Sequence, residues 1–187
     1  MHRIATLIFL SLLFVSTAFS AAPPALRPIE WAQPMTAVGM KNFYRIDAKL
    51  YRSAQPDEAG FSAIKRLGIT TVLNLRDFRS DDEAEGLGLN LQRIEMEAGE
   101  ITIPQLVAAL RIIRAADGPV LIHCWHGSDR TGTVSALYRM VMQGWSAEAA
   151  IDELINGDYG FHSIYGNIPT LLRQVDVTAI RTAVLAP

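Results

Sequence analysis

Val120-Leu-Ile-His-Cys-Trp-His-Gly-Ser-Asp-Arg-Thr-Gly132 is the stretch that decides the fold. Val120-Leu-Ile122 reads as a strand too apolar to sit on the edge of a sheet. A helix is expected to open at about Arg130-Thr131. The loop between them can curl so that its N–H groups point inward, and such a concavity binds a tetrahedral anion. The following helix adds unpaired N–H groups and the positive end of its dipole. Cys124 lies at the base of this cradle.

That placement gives the cysteine a chemistry. A positive field lowers a thiol pKa from about 8.5 to ~3.5–7.5, which makes the thiolate a resting nucleophile. Arg130 stands at the far end of the loop, where its planar fork can grip two oxygens of a phosphoryl group. Gly127 and Gly132 permit close approach of backbone and helix. The implied reaction is in-line attack on phosphorus, a phosphocysteine, and then hydrolysis. Amides Trp125 to Thr131 and Arg130 supply the charge stabilisation, so neither metal nor cofactor is expected. Zinc held by His123, Cys124 and His126 is disfavoured, because neighbouring side chains on a strand point to opposite faces.

Outward from this loop, strands alternate with helices. Two short strands around a turn at Asp47-Ala48 are expected within 42–53. Pro56-Asp57-Glu58 opens a helix that Gly68 closes, with Phe61, Ile64 and Leu67 as its apolar stripe. Ile69 to Leu75 reads as a buried strand, and Leu89 to Met96 as another, across a charged loop. Pro104 starts a helix through Ala116 carrying Leu106, Leu110 and Ile113 on one face. Further helices are expected over 131–143, from the Ser146 N-cap to Ile155, and as one last helix from Pro169 to Val184. The pattern implies an α/β fold: a central, mostly parallel sheet of four to five strands flanked by helices.

Composition fits one such domain. The chain has 187 residues, half of them hydrophobic and 19% charged, enough for a core and too apolar for a disordered chain. A net charge of −2 gives no basic surplus for nucleic acid. A single cysteine excludes an internal disulfide framework. Residues 1–20 read as a signal peptide: a basic start, an apolar run from Ile4 to Val15, and Ala18 and Ser20 at the cleavage positions. The run is short for a membrane span, so a periplasmic or secreted protein without stable membrane insertion is expected. Residues 21–41, rich in proline, form an extended lead-in, and 42–187 form the domain.

His123-Cys124-x5-Arg130-Thr131 resembles the signature loop of the cysteine-dependent protein tyrosine phosphatase superfamily, and Gly127 to Gly132 resembles its dual-specificity branch. Leu50-Tyr-Arg-Ser-Ala-Gln-Pro56, Val72 to Asp77 and Tyr138 to Trp145 are similar to exported bacterial members. The resemblance implies Cys124 as nucleophile and Arg130 as phosphate clamp. Thr131 would bond the sulfur, and His123 would orient the loop. The loop Trp125, His126, Gly127, Ser128, Asp129, Arg130 and Thr131 would hold the phosphoryl group. It further implies a general acid in a loop well before the cysteine. No aspartate lies between Asp82 and Asp117, so the expected acid is Glu100, with Glu97 and Asp129 as alternatives.

No Lys or Arg stands between Cys124 and Arg130, which disfavours polyphosphorylated substrates. The expected substrate is a phosphorylated protein, including the periplasmic domain of a membrane protein. The expected residue is phosphotyrosine, with phosphoserine or phosphothreonine next. The alternatives are a phosphoinositide or inositol phosphate phosphatase, and a catalytically silent phosphopeptide-binding module. A rhodanese-like sulfurtransferase fits Arg-Thr-Gly132 poorly.

Overall fold

The structure is a computed structural model that describes residues 27–186. The leader expected over 1–20, and the first part of the lead-in, lie outside the described residues. Among the described residues no helix is long and apolar enough to cross a membrane.

Six strands form one sheet: β1 (Gln33–Pro34), β2 (Tyr44–Arg45), β3 (Leu50–Ser53), β4 (Thr71–Asn74), β5 (Asn90–Arg93) and β6 (Val120–His123). Their spatial order is β1-β2-β3-β6-β4-β5. β3, β6, β4 and β5 pair in parallel, while β1 and β2 extend the edge antiparallel. The parallel core and β2 carry the five strands that sequence reading supports. The sixth strand, β1, is two residues inside the proline-rich lead-in and has no alternating pattern to betray it. β6 is buried along its whole length, as its apolar run requires.

Alternation along β4 and β6 divides the core. Leu73, Val120 and Ile122 face one hydrophobic cluster, while Val72 and Leu121 face the other. α1 (Glu58–Arg66) covers the smaller cluster with Phe61 and Ile64. Leu67, expected in that stripe, is its C-cap and is 49% exposed. On the opposite face pack α2 (Ile103–Ala115), α3 (Asp129–Met142), α4 (Ala147–Asn156), α5 (Asn167–Gln174) and α6 (Val177–Leu185).

The helix ends follow local chemistry. Asp57 accepts from Gly60 N at the start of α1, and Ser146 accepts from Ala149 N at the start of α4. The single C-terminal helix expected from Pro169 to Val184 is instead two. The chain leaves helical geometry at Val175, and Asp176 caps the new start by accepting from Ala179 N. The cap satisfies an amide that a continuous helix would have satisfied through its backbone, so the break costs little.

The carboxyl ends of three parallel strands meet in the middle of the sheet. Ser53 of β3 and Asn74 of β4 both lie in register with His123 of β6. Ala54-Gln55, Leu75-Arg76-Asp77 and the loop after β6 therefore converge at one rim, where ligands of parallel α/β sheets bind.

Candidate active site

Cys124 follows β6 directly and is 2% exposed. The loop after it is held by its carbonyl oxygens. Trp125 O accepts from Gln55 N (3.1 Å), His126 O from Asn42 Nδ2 (2.8 Å), and Gly127 O from Arg52 Nη2 (2.7 Å). Ser128 Oγ donates to Tyr159 O at 2.7 Å. With three successive carbonyls turned toward the scaffold, the amides face the other way. Among the described residues none of the 125–130 amides has a backbone carbonyl partner. The curl depends on Gly127, whose φ is +74° and whose added Cβ would come within 2.5 Å of the Ser53 backbone.

Beneath the loop lies Arg52, 1% exposed, with its guanidinium 3.6 Å from the centre of the Tyr159 ring. Burial pulls its pKa down, while the charges of Tyr159, Glu153 and Cys124 oppose that pull. Arg52 is thus a buried cation that fixes a loop carbonyl and stands near the thiol.

His123 is fully buried, and its Nε2 lies 2.9 Å from Asp81 Oδ2. Asp81 Oδ1 also accepts from Gln55 Nε2 (2.9 Å) and Asn74 Nδ2 (3.1 Å). Burial pushes the Asp81 pKa up, but the hydrogen bond and charge of His123, with Gln55 and Asn74, outweigh it. The net direction is downward. His123 thus orients the loop's base through a carboxylate from the charged loop after β4.

Beside the loop opens a cavity of about 440 Å³ bordered by Arg76, Trp125, His126, Asp129, Arg130 and His162, among others. Arg130 Nη1 donates to Asp77 Oδ1 (3.2 Å) and Met96 O (3.1 Å), which hold the guanidinium at the cavity wall. Arg76 stands beside it. Its guanidinium lies 4.2 Å from the centre of the half-exposed Trp125 ring, one nitrogen bonds Gln55 Oε1 at 2.9 Å, and Nη2 is buried with no partner among the described residues. Burial lowers the Arg76 pKa, and the neighbouring charges of Arg79 and Arg130 lower it further.

The expected site residues divide into three groups. Trp125, His126, Asp129 and Arg130 border the cavity. Cys124, Ser128 and Thr131 are buried and do not border it. Among the described residues the Thr131 hydroxyl has no hydrogen-bond partner, so its bond to sulfur is not formed in this structure. Glu100 and Glu97 are both exposed, in a turn closed by Glu100 N donating to Glu97 O at 3.0 Å. Neither glutamate borders the cavity, although Ala98 between them does.

Sequence reading missed Asp81, Tyr159 and His162. His162 lies beyond α4, where its Nδ1 is 2.8 Å from Asp129 Oδ2 and its backbone N–H donates to Asp129 Oδ1 at 3.0 Å. No local motif marks it.

A family model described as the tyrosine phosphatase family matches residues 37–159, from the lead-in to Tyr159. The chain belongs to the tyrosine phosphatase family. It is similar to the dual specificity protein phosphatase TpbA of Pseudomonas aeruginosa, 34% identical over 169 residues, or 88% of this chain and 75% of that protein. A crystal structure of TpbA from P. aeruginosa superposes with a TM-score of 0.76 at 32% identity, covering 86% of this chain and all of that one. A second, of TpbA in complex with pTyr, covers 87% of this chain and all of that one, with a TM-score of 0.76 at 30% identity. The inositol diphosphatase SIW14 of Saccharomyces cerevisiae is 31% identical over 124 residues, covering 60% of this chain and 44% of that protein. As a member of this phosphatase family, the chain carries its loop at the carboxyl end of the central strand, over a single cysteine.

Proposed function

We propose that this chain is an exported phosphatase that hydrolyses phosphomonoesters, first of all phosphotyrosine in a protein, through a phosphocysteine. One observation carries the reading: the loop over Cys124 is tied by its carbonyls, its amides are left without backbone partners among the described residues, and Arg130 borders the adjoining cavity. In this mechanism the amides of Trp125 to Thr131 bind the phosphoryl oxygens, and Arg130 clamps two of them. Cys124 sulfur bonds to phosphorus as the ester oxygen leaves. His123 positions the loop. The Thr131 hydroxyl, buried and unpartnered, is the donor for the sulfur when phosphocysteine is hydrolysed.

The phosphotyrosine reading draws on TpbA, whose structure is known in complex with pTyr. Export draws on the leader pattern at 1–20, and a membrane protein's periplasmic domain remains the partner it suggests. The domain would occupy 42–187. The lead-in belongs with it, since Ala32 N donates to buried Glu153 Oε1 at 2.6 Å.

Arg76 favours a second reading. The loop itself holds no cation between Cys124 and Arg130, yet the fold brings a second guanidinium to the same cavity. Two guanidiniums suit a more highly charged ester, such as an inositol phosphate.

Turnover of p-nitrophenyl phosphate in chelator, abolished in Cys124→Ser with vanadate binding kept, tests the mechanism. The ratio of kcat/KM for a phosphotyrosine peptide over an inositol phosphate separates the two substrates. Turnover retained in Cys124→Ser would overturn the nucleophile.

A further inference from the structure

The cavity needs a group that can exchange a proton with the leaving oxygen. The glutamates after β5 do not reach its wall. Asp129 and His162 do. Asp129 is 7% exposed in the first turn of α3, where a helix favours negative charge. Both of its oxygens are engaged by one residue: Oδ1 by the His162 backbone N–H at 3.0 Å and Oδ2 by Nδ1 at 2.8 Å. This bracket fixes the ring's position and its tautomer together. A carboxylate only accepts, so Nδ1 carries its hydrogen and Nε2 is left to exchange the second one.

The segment bearing His162 is itself anchored. Tyr159 O accepts from Ser128 Oγ at 2.7 Å and from Asn42 Nδ2 at 2.9 Å. Gly160, at φ +75°, turns the chain so closely past the loop that its added Cβ would lie 3.3 Å from Ser128 Oγ. The imidazole is 46% exposed and borders the cavity beside Arg130. Asp129 and Arg130 of α3, His126 of the loop (ring centres 5.3 Å apart), Tyr165 and Arg76 surround it.

We propose that His162, held by Asp129, is the acid–base catalytic residue of this active site. The inference rests on the phosphatase reading above and assigns the proton transfers within it. As Cys124 sulfur bonds to phosphorus, the P–O bond to the leaving group breaks, and Nε2–H gives its proton to that oxygen. The imidazole is then neutral. Water attacks the phosphocysteine and Nε2 takes its proton. The P–S bond breaks, phosphate leaves, and thiolate and imidazolium are restored.

His162→Asn tests this, because the asparagine amide N–H replaces Nδ1–H toward Asp129 while nothing replaces Nε2. Phenyl phosphate has a poor leaving group, and its kcat/KM should fall by ~10²–10⁴. p-Nitrophenyl phosphate, which leaves without help, should fall far less. The basic limb of the phenyl phosphate pH profile should flatten, with melting temperature and vanadate affinity kept. Equal losses on both esters in the variant, with the wild type active, would overturn His162 alone. So would the selective loss on phenyl phosphate appearing in Glu100→Gln instead. A wild type inert on p-nitrophenyl phosphate would overturn the phosphatase reading beneath it.

Discussion

Two histidines of this molecule each lean on one aspartate, and their surroundings differ almost completely. His123 and Asp81 are sealed in the sheet's rim, with side chains 0% and 4% exposed. His162 and Asp129 stand at the cavity wall, where the imidazole is 46% exposed. The sealed pair has further partners: Asp81 accepts from Gln55 and Asn74, and one strand end after another hangs on it. Among the described residues the open pair has none beyond itself, and one ring nitrogen is without a hydrogen-bond partner. A histidine–carboxylate contact is therefore scaffold or reagent according to access. A sealed pair cannot trade protons with a substrate, and an open one adds less to stability.

Breaking the sealed pair should have the largest effect. Asp81→Ala removes an anion that accepts from three side chains, and should cost about 3–5 kcal/mol of stability. Denaturant titration would read it. A variant as stable as wild type would mean that Gln55, Asn74 and His123 find other partners.

Breaking the open pair should spare the fold and cost activity. Asp129→Asn keeps an acceptor for the His162 N–H but presents an amide donor to Nδ1, which forces the other tautomer. The kcat/KM for phenyl phosphate should fall about 10²-fold, with stability lowered by about 1–3 kcal/mol because the carboxylate itself is buried and hydrogen-bonded. Steady-state kinetics beside thermal melts would show both. A large fall in melting temperature with little kinetic change would reverse the roles given to the two pairs.

Acid should sharpen the contrast with the smallest signal. The Asp81 pKa lies below its unfolded value, so its stabilisation is present above about pH 4. It is lost as pH falls through the lower, folded value. Thermal melts across that range should therefore drop more steeply for wild type than for Asp81→Asn. Parallel curves would place the acid sensitivity elsewhere.

What sequence reading recovers is what neighbouring residues encode. The loop from Cys124 to Arg130, the apolar strand before it, the helix start at Pro56-Asp57-Glu58 and the cap at Ser146 each sit within one short stretch, and the structure has them there. What it misses is assembled by register. Arg52 reaches Gly127 because β3 pairs with β6, and Asp81 reaches His123 because the loop after β4 folds back over the strand ends. His162 arrives from beyond a whole helix. The two helices in place of one after Gly166 were legible in principle, since Asp176 is a good cap, but a continuous apolar pattern overrides so small a mark. The glutamate loop fails for a different reason: chain position nominates Glu100, and only the path of the turn says which side chains face the cavity.

The segment just before the first strand carries a consequence for how such a protein ages. Arg27 bonds Ala32 O, Gly157 O and the Tyr159 hydroxyl, and Tyr159 in turn stacks on Arg52 beneath the loop. A stretch that looks like packaging is thus mortar in the wall behind the thiol. Exopeptidases that removed Arg27 would break all three bonds at once. The next bites would loosen Tyr159 and the turn it anchors. Catalytic lifetime would then depend on Arg27, far along the sequence from the cysteine it protects.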